Sequence, residues 1–209
     1  MNPNIKFAAM IRILSFALLI FGTSPVLFAQ SWDLRKDEDG IKVYTKVNDG
    51  HPFDSFKAEM KINLTVPEIT KFLKHMDEHP EAFPDTKEIR ILERPNDSTQ
   101  IQYALTDAPW PVSDRDGIYK LVFQYNKKTG QLVTKAKALP TYLPEIEDVV
   151  RIALSDTYWI ATPIDEKSIK LEYIVHADPG GNIPEWLANT AAVDVPFDTF
   201  INIRKALAP

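Results

Sequence analysis

An antiparallel sheet of eight or nine strands with one early helix and one long final helix, together an α+β arrangement, is what the 209-residue sequence predicts. Three features lead there. Many short segments alternate apolar with polar residues, the mark of strands with one buried and one wet face. Two segments repeat instead with helical spacing. The turns between them carry suitable punctuation, such as "DEDG" at 37–40 and "NKKTG" at 126–130.

The chain opens with Lys6 and Arg12, then an apolar run from Ile13 to Phe21, and reaches Leu27-Phe28-Ala29 before a polar Gln30. That is the layout of a secretory signal peptide, with cleavage expected near Ala29. The apolar run is about half of the roughly 20 residues a spanning helix needs, and Pro25 interrupts its far end. An uncleaved membrane anchor is the alternative. On the first reading residues 1–29 are removed, and 30–209 form one domain that works in the periplasm or outside the cell. Cysteine is absent, so neither a disulfide nor a lipoprotein anchor is available despite export. The chain carries a net charge of −5, and losing Lys6 and Arg12 makes it more acidic. An acidic, unclustered balance argues against nucleic acid as a partner and offers no basic patch to anionic membranes.

The strands follow in order. In "FKAEMKI", Phe56, Ala58, Met60 and Ile62 point one way and Lys57, Glu59 and Lys61 the other; in "IKLEYIVH", Ile169, Leu171, Tyr173 and Val175 oppose Lys170 and Glu172. Further strands are expected at 41–46, 88–92, 99–105, 116–125, 132–138 and roughly 156–161. The first helix begins at Thr65, which can cap it while Glu68 answers three positions later, and ends before Pro80. The second begins near Pro184, since proline is tolerated in a first turn. Along it Trp186, Thr190, Val193, Phe197, Phe200 and Ile201 fall on one stripe, widened by Leu187, Ala191 and Val195, with a kink expected at Pro196. A strongly twisted sheet curls, and a long helix laid into the curl closes it.

"DAPWPVSDRDGIYKLVF", "VVRIALSDTYWIATPI" and "YIVHADPGGNIPEWLANTAAVDVPFDTFINIRKAL" resemble the corresponding segments of START domains, the StAR-related lipid-transfer modules, in a bacterial version. The likeness runs from about Trp32 to Leu207. It implies a helix-grip fold, in which the curved sheet grips the C-terminal helix around a hydrophobic tunnel for one lipid- or sterol-like ligand. It also implies a gate made of that helix and the 107–114 loop with Trp110, on a hinge at Gly180 and Gly181. Phe83 stands where such proteins often carry tryptophan. The family's buried acid and base pair does not carry over, because its basic position falls at Leu121.

The expected ligand-binding walls are Tyr103, Leu105, Tyr119, Leu121, Phe123, Trp159, Leu171 and Tyr173 on strands, with Trp186, Ala191, Val195 and Phe197 on the final helix. Each aromatic could equally be ordinary core, and Trp186 could be a staple seating its helix. Arg115 and Arg151 either read a ligand head group or sit in structural ion pairs. No cofactor and no metal is expected: "HMDEH" at 75–79 spells a zinc-protease pattern, but Pro80 ends the helix at once and no third ligand is placed. Lipid carriage without catalysis, by a monomer making transient membrane contact, is the expected function. The alternative is a helix-grip enzyme, cyclase or hydrolase, using the same cavity; His176 would serve it poorly as a base, since alternation turns it away from Tyr173 and Val175.

Overall fold

The computed structural model describes residues 32–48 and 53–207, the side chain of Glu185 excepted, so the expected leader at 1–29 lies outside the described residues. Strands β1 (Asp33–Glu38), β2 (Ile41–Lys46) and β3 (Ser55–Ile62) lead into helix α1 (Val66–Lys74) and two 3-10 turns at Met76–Glu78 and Pro80–Ala82. Then come β4 (Thr86–Asn96), β5 (Thr99–Thr106), β6 (Arg115–Tyr125), β7 (Leu132–Ala138), β8 (Val150–Arg151), β9 (Leu154–Pro163), β10 (Ile169–Asp178) and helix α2 (Glu185–Leu207). The sheet order is β1-β2-β3-β10-β9-β7-β6-β5-β4, antiparallel at every step, and the two-residue β8 lies parallel to the start of β6.

Two of these strands, β1 and β8, have no counterpart among the expected segments. In "DLRKDE" the lone apolar residue, Leu34, is 52% exposed, so nothing alternates; the strand exists because β2 offers a ladder to pair with, across a bulge between Leu34 and Lys36. The remaining strands lie where alternation puts them. Thr65 accepts from the Glu68 amide at 3.4 Å while Glu68 accepts from the Thr65 amide at 2.7 Å, the reciprocal cap expected of α1. That helix stops at Lys74, earlier than expected, and the chain reaches Pro80 through 3-10 geometry.

Register carries the inner face across the sheet. Val43 lies opposite Ala58, Ala58 opposite Tyr173, Tyr173 opposite Trp159, Trp159 opposite Thr134, and Thr134 opposite Phe123. Between sheet and helices the core is packed by Ile69 and Leu73 of α1, Leu121 and Leu171 of the sheet, and Phe200 and Ile203 of α2. Helix α2 packs on β2, β3 and the turn at Pro80–Ala82. Its C-terminal half is tied down as well: Asn202 donates to the Glu81 carbonyl at 3.2 Å and Arg204 to the Asp39 carbonyl at 2.7 Å. From Trp186 to Val195 every side chain is half-buried or exposed, and the helix runs on through Pro196.

A smaller cluster, Ile101, Tyr103 and Ile118, lies on the outer face under Leu139 and Leu143. Arg151 fastens the segment that covers it. Its guanidinium grips Asp116 at 2.7 and 2.9 Å and donates to the carbonyls of Pro140, Leu143 and Pro144, so that all five N–H groups are used.

Candidate functional site

Alternation along β6 turns Arg115, Gly117, Tyr119, Leu121 and Phe123 to the inner face, and Asp116, Ile118 and Lys120 outward. Gly117 is in a strand, where glycine marks a close approach. The approach here is by Tyr119, whose ring folds back along its own strand: a Cβ on Gly117 would overlap the phenol oxygen and Cζ. The absent side chain thereby lets the Tyr119 phenol lie over Gly117.

Tyr119 and Tyr173 are enclosed by protein, and desolvation pushes both phenols well above their ordinary pKa. They are close enough that the charge of one would raise the other. Neither hydroxyl has a hydrogen-bond partner among the described residues, yet both side chains keep accessible surface. Buried phenols ordinarily find a hydrogen-bond partner in protein, in water or in something bound. Aromatic rings pack around Tyr173 and its neighbour Trp159. Trp159 stacks on Tyr173 with centroids 4.0 Å apart, meets Phe83 edge-on at 6.4 Å, and lies under Phe200 of α2 at 6.2 Å.

At the open end of β6, Arg115 is 6% exposed. It donates to the Ser113 carbonyl and, at 3.5 Å, to the Gly180 carbonyl; among the described residues its Nε has no partner and no carboxylate pairs with it. Burial pulls its pKa down, whereas pairing with Asp116 pushes that of Arg151 up. Gly180 and Gly181 have φ of +68° and +65°, a backbone region that side chains rarely adopt. They pack on Val150 and cross above Arg115, whose Nη2 would lie 3.8 Å from a Cβ at Gly181. A concavity of about 570 Å³ opens on the far side of these glycines from Arg115, which is not in its lining; Phe53, Asp178, Gly180, Gly181, Ile183 and Pro184 are among the residues that line it.

The 107–114 loop is pinched at its neck. Lys87 lies 2.6 Å from Asp107 and 2.8 Å from Asp114, and the Ala108 amide donates to Asp114 at 3.3 Å. These contacts raise the Lys87 pKa, Asp107 contributing most, and lower that of Asp114, where Lys87 contributes most. At the tip, Trp110 precedes Pro111 through a cis peptide bond and is 92% exposed.

Several expected wall residues stand elsewhere. Tyr103 and Leu105 are associated with the outer cluster, because β5 pairs Tyr103 with outward Ile118 and turns Gln100, Gln102 and Ala104 inward. Arg151 is the outer clamp described above. Phe123 sits at the opposite end, under the Lys74 ammonium at 5.5 Å, in a concavity between α1 and the strands. Trp186 is 70% exposed rather than turned to the sheet. Leu121, Trp159 and Leu171 belong to the packed core, Phe197 is buried with Lys36 3.6 Å above its ring, and Ala191 and Val195 are half-buried on α2. His176 faces outward, its Nδ1 3.1 Å from Ser55 Oγ and 3.2 Å from Asn48 Nδ2. His75 and His79 each lie beside a glutamate in the 3-10 turns. Among the described residues no helix is long and apolar enough to cross a membrane. Gly117 escaped the sequence reading, although a glycine inside an alternating strand was the available signal.

No family model matches the chain. A solved structure of a STAR-related lipid transfer protein from Xanthomonas axonopodis is 34% identical with a TM-score of 0.78, covering 85% of this chain and 99% of that one. An uncharacterized protein of Pseudomonas aeruginosa is 29% identical over 196 residues, 94% of this chain and 96% of that protein. The phosphatidylcholine transfer protein of Mus musculus is 22% identical over 172 residues, 80% of this chain and 79% of that protein.

Proposed function

We propose, on the premise that this chain belongs to the STAR-related lipid-transfer family, that it carries or senses a single lipid-like molecule in an interior chamber. The observation that carries the reading is the pair of enclosed, unpartnered phenols of Tyr119 and Tyr173 on the inner face of the curved sheet. The loosely packed first half of α2, hinged at Gly180 and Gly181, supports a lid, and the pinched 107–114 loop supports a second gate element beside it. Exposed Trp110 supports brief contact with a membrane while the gate is open. Burying a chain of about 16 carbons contributes roughly 12 kcal/mol before entropy losses, so binding needs neither a cofactor nor a reaction. The leader-like residues 1–29 support action outside the cytoplasm.

Native mass spectrometry of protein recovered from its own host tests this. An apolar compound retained at one copy per chain is the expected result. Repeated recovery without one, together with no uptake of fluorescent lipids from vesicles, overturns it.

A further inference from the structure

Two buried guanidiniums flank the start of β6 and differ in one respect. Arg151 is neutralised by Asp116 and has every N–H engaged. Among the described residues Arg115 has carbonyl partners only, one of them at 3.5 Å, and its Nε is orphaned. Nearby acids are spoken for: Asp114 is held by Lys87, and Asp178 accepts from the Gly180 amide at 2.8 Å. Asp114 acts on Arg115 through space without forming an ion pair, and a buried cation with no directly paired counter-charge is costly to keep, which a neutral ligand would not change.

We infer that the molecule held by this protein is an amphiphile whose head carries an anionic oxygen, a phosphate or carboxylate, and that Arg115 takes that head beneath the hinge glycines. The inference rests on the reading of an interior ligand chamber and names its ligand class. Placement supports it. Arg115 and Tyr119 project from the same face of β6, separated by Gly117, and the folded-back phenol shortens a Cα spacing of roughly 13 Å between the two residues. The guanidinium is planar, and its Nε, buried and unpartnered, is the donor left for an oxyanion that enters when the covering glycines lift, a geometry suited to carboxylate and phosphate alike. An apolar tail then runs inward past Tyr119 and Tyr173 towards the ring of Trp159, and the head stays at the end where the 570 Å³ concavity opens. Burial lowering the Arg115 pKa agrees with a charge waiting for its partner.

The test uses the protein purified from its own host, stripped of lipid, and three probes with one 16-carbon tail: palmitate, hexadecyl phosphate and hexadecanol. Displacement of a fluorescent lipid is measured for each. At least one of the two anions is expected to bind about tenfold or more tighter than the alcohol, with the ratio near one in Arg115→Met and intermediate in Arg115→Lys. An anion-to-alcohol ratio near one in the parent protein overturns the inference, as does a ratio that survives Arg115→Met. Full displacement by inorganic phosphate alone also overturns it, since the site would then read a free anion. If Arg115→Met fails to fold, the parent ratio and the Lys variant still decide. Tight binding of the alcohol alone removes the anionic head and leaves the chamber; binding of none of the three removes both.

Discussion

The indole of Trp159 and the phenol ring of Tyr173 lie face to face on neighbouring strands, centroids 4.0 Å apart and planes 14° apart. They are direct cross-strand partners, and Trp159 also meets Phe200 of α2, so this stack ties the sheet to the helix it grips. Trp159→Ala removes those contacts and leaves a cavity, and a loss of about 3–5 kcal/mol is expected by urea unfolding. Trp159→Phe, which keeps a ring, is expected to cost about half as much or less.

Gly117→Ala forces the Tyr119 ring off its strand, because the new methyl occupies the place of the phenol oxygen. The obstructing atoms are the far end of a side chain, so the ring can swing away, at a cost of about 1–3 kcal/mol. Ligand affinity is expected to fall more than stability does. Fluorescent-lipid titration beside urea unfolding separates the two effects.

Arg151 and Asp116 behave as a unit. Arg151→Met alone strands a buried carboxylate and is expected to cost about 3–5 kcal/mol, while Arg151→Met with Asp116→Leu recovers most of that loss. The double variant still frees the carbonyls of Pro140, Leu143 and Pro144, so amide exchange in 139–149 is expected to rise even where stability returns.

The Lys87 clasp sets a pH range for the 107–114 loop. The folded pKa of Asp114 is depressed, so its contribution is present above the ordinary carboxylate value of 3.8 and is lost as pH falls through the lower folded value. That of Lys87 is raised, so its contribution is complete below 10.5 and is lost as pH rises through the higher folded value. Hydrogen exchange at the Ala108 amide is expected to show an extra loosening below about pH 4 beyond its intrinsic rate. In Lys87→Met the loop is expected to be loose already at pH 6, and most of that acid step to vanish. Because all three groups are surface-facing, global stability is expected to change little.

Alternation and capping were legible without tertiary information: the sheet strands other than β1 and β8, the start of α1 at Thr65, the start of α2 just past Pro184, and the chain reversal at Gly180 and Gly181. These are local decisions, in which period two, period 3.6, a reciprocal cap or a left-handed backbone is written within a few neighbouring residues. Which side of the sheet became the inside was not written there. Tyr103 and Tyr119 sit on equally plausible alternating strands, and only the register of β5 against β6, which pairs Tyr103 with Ile118 and Tyr119 with Gln102, turns one outward and the other inward. Likewise Arg115 and Arg151 are alike as residues. Long-range pairing gave Asp116 to one and left the other beneath the glycines, because a carboxylate on the outer face of β6 cannot reach a guanidinium on its inner face.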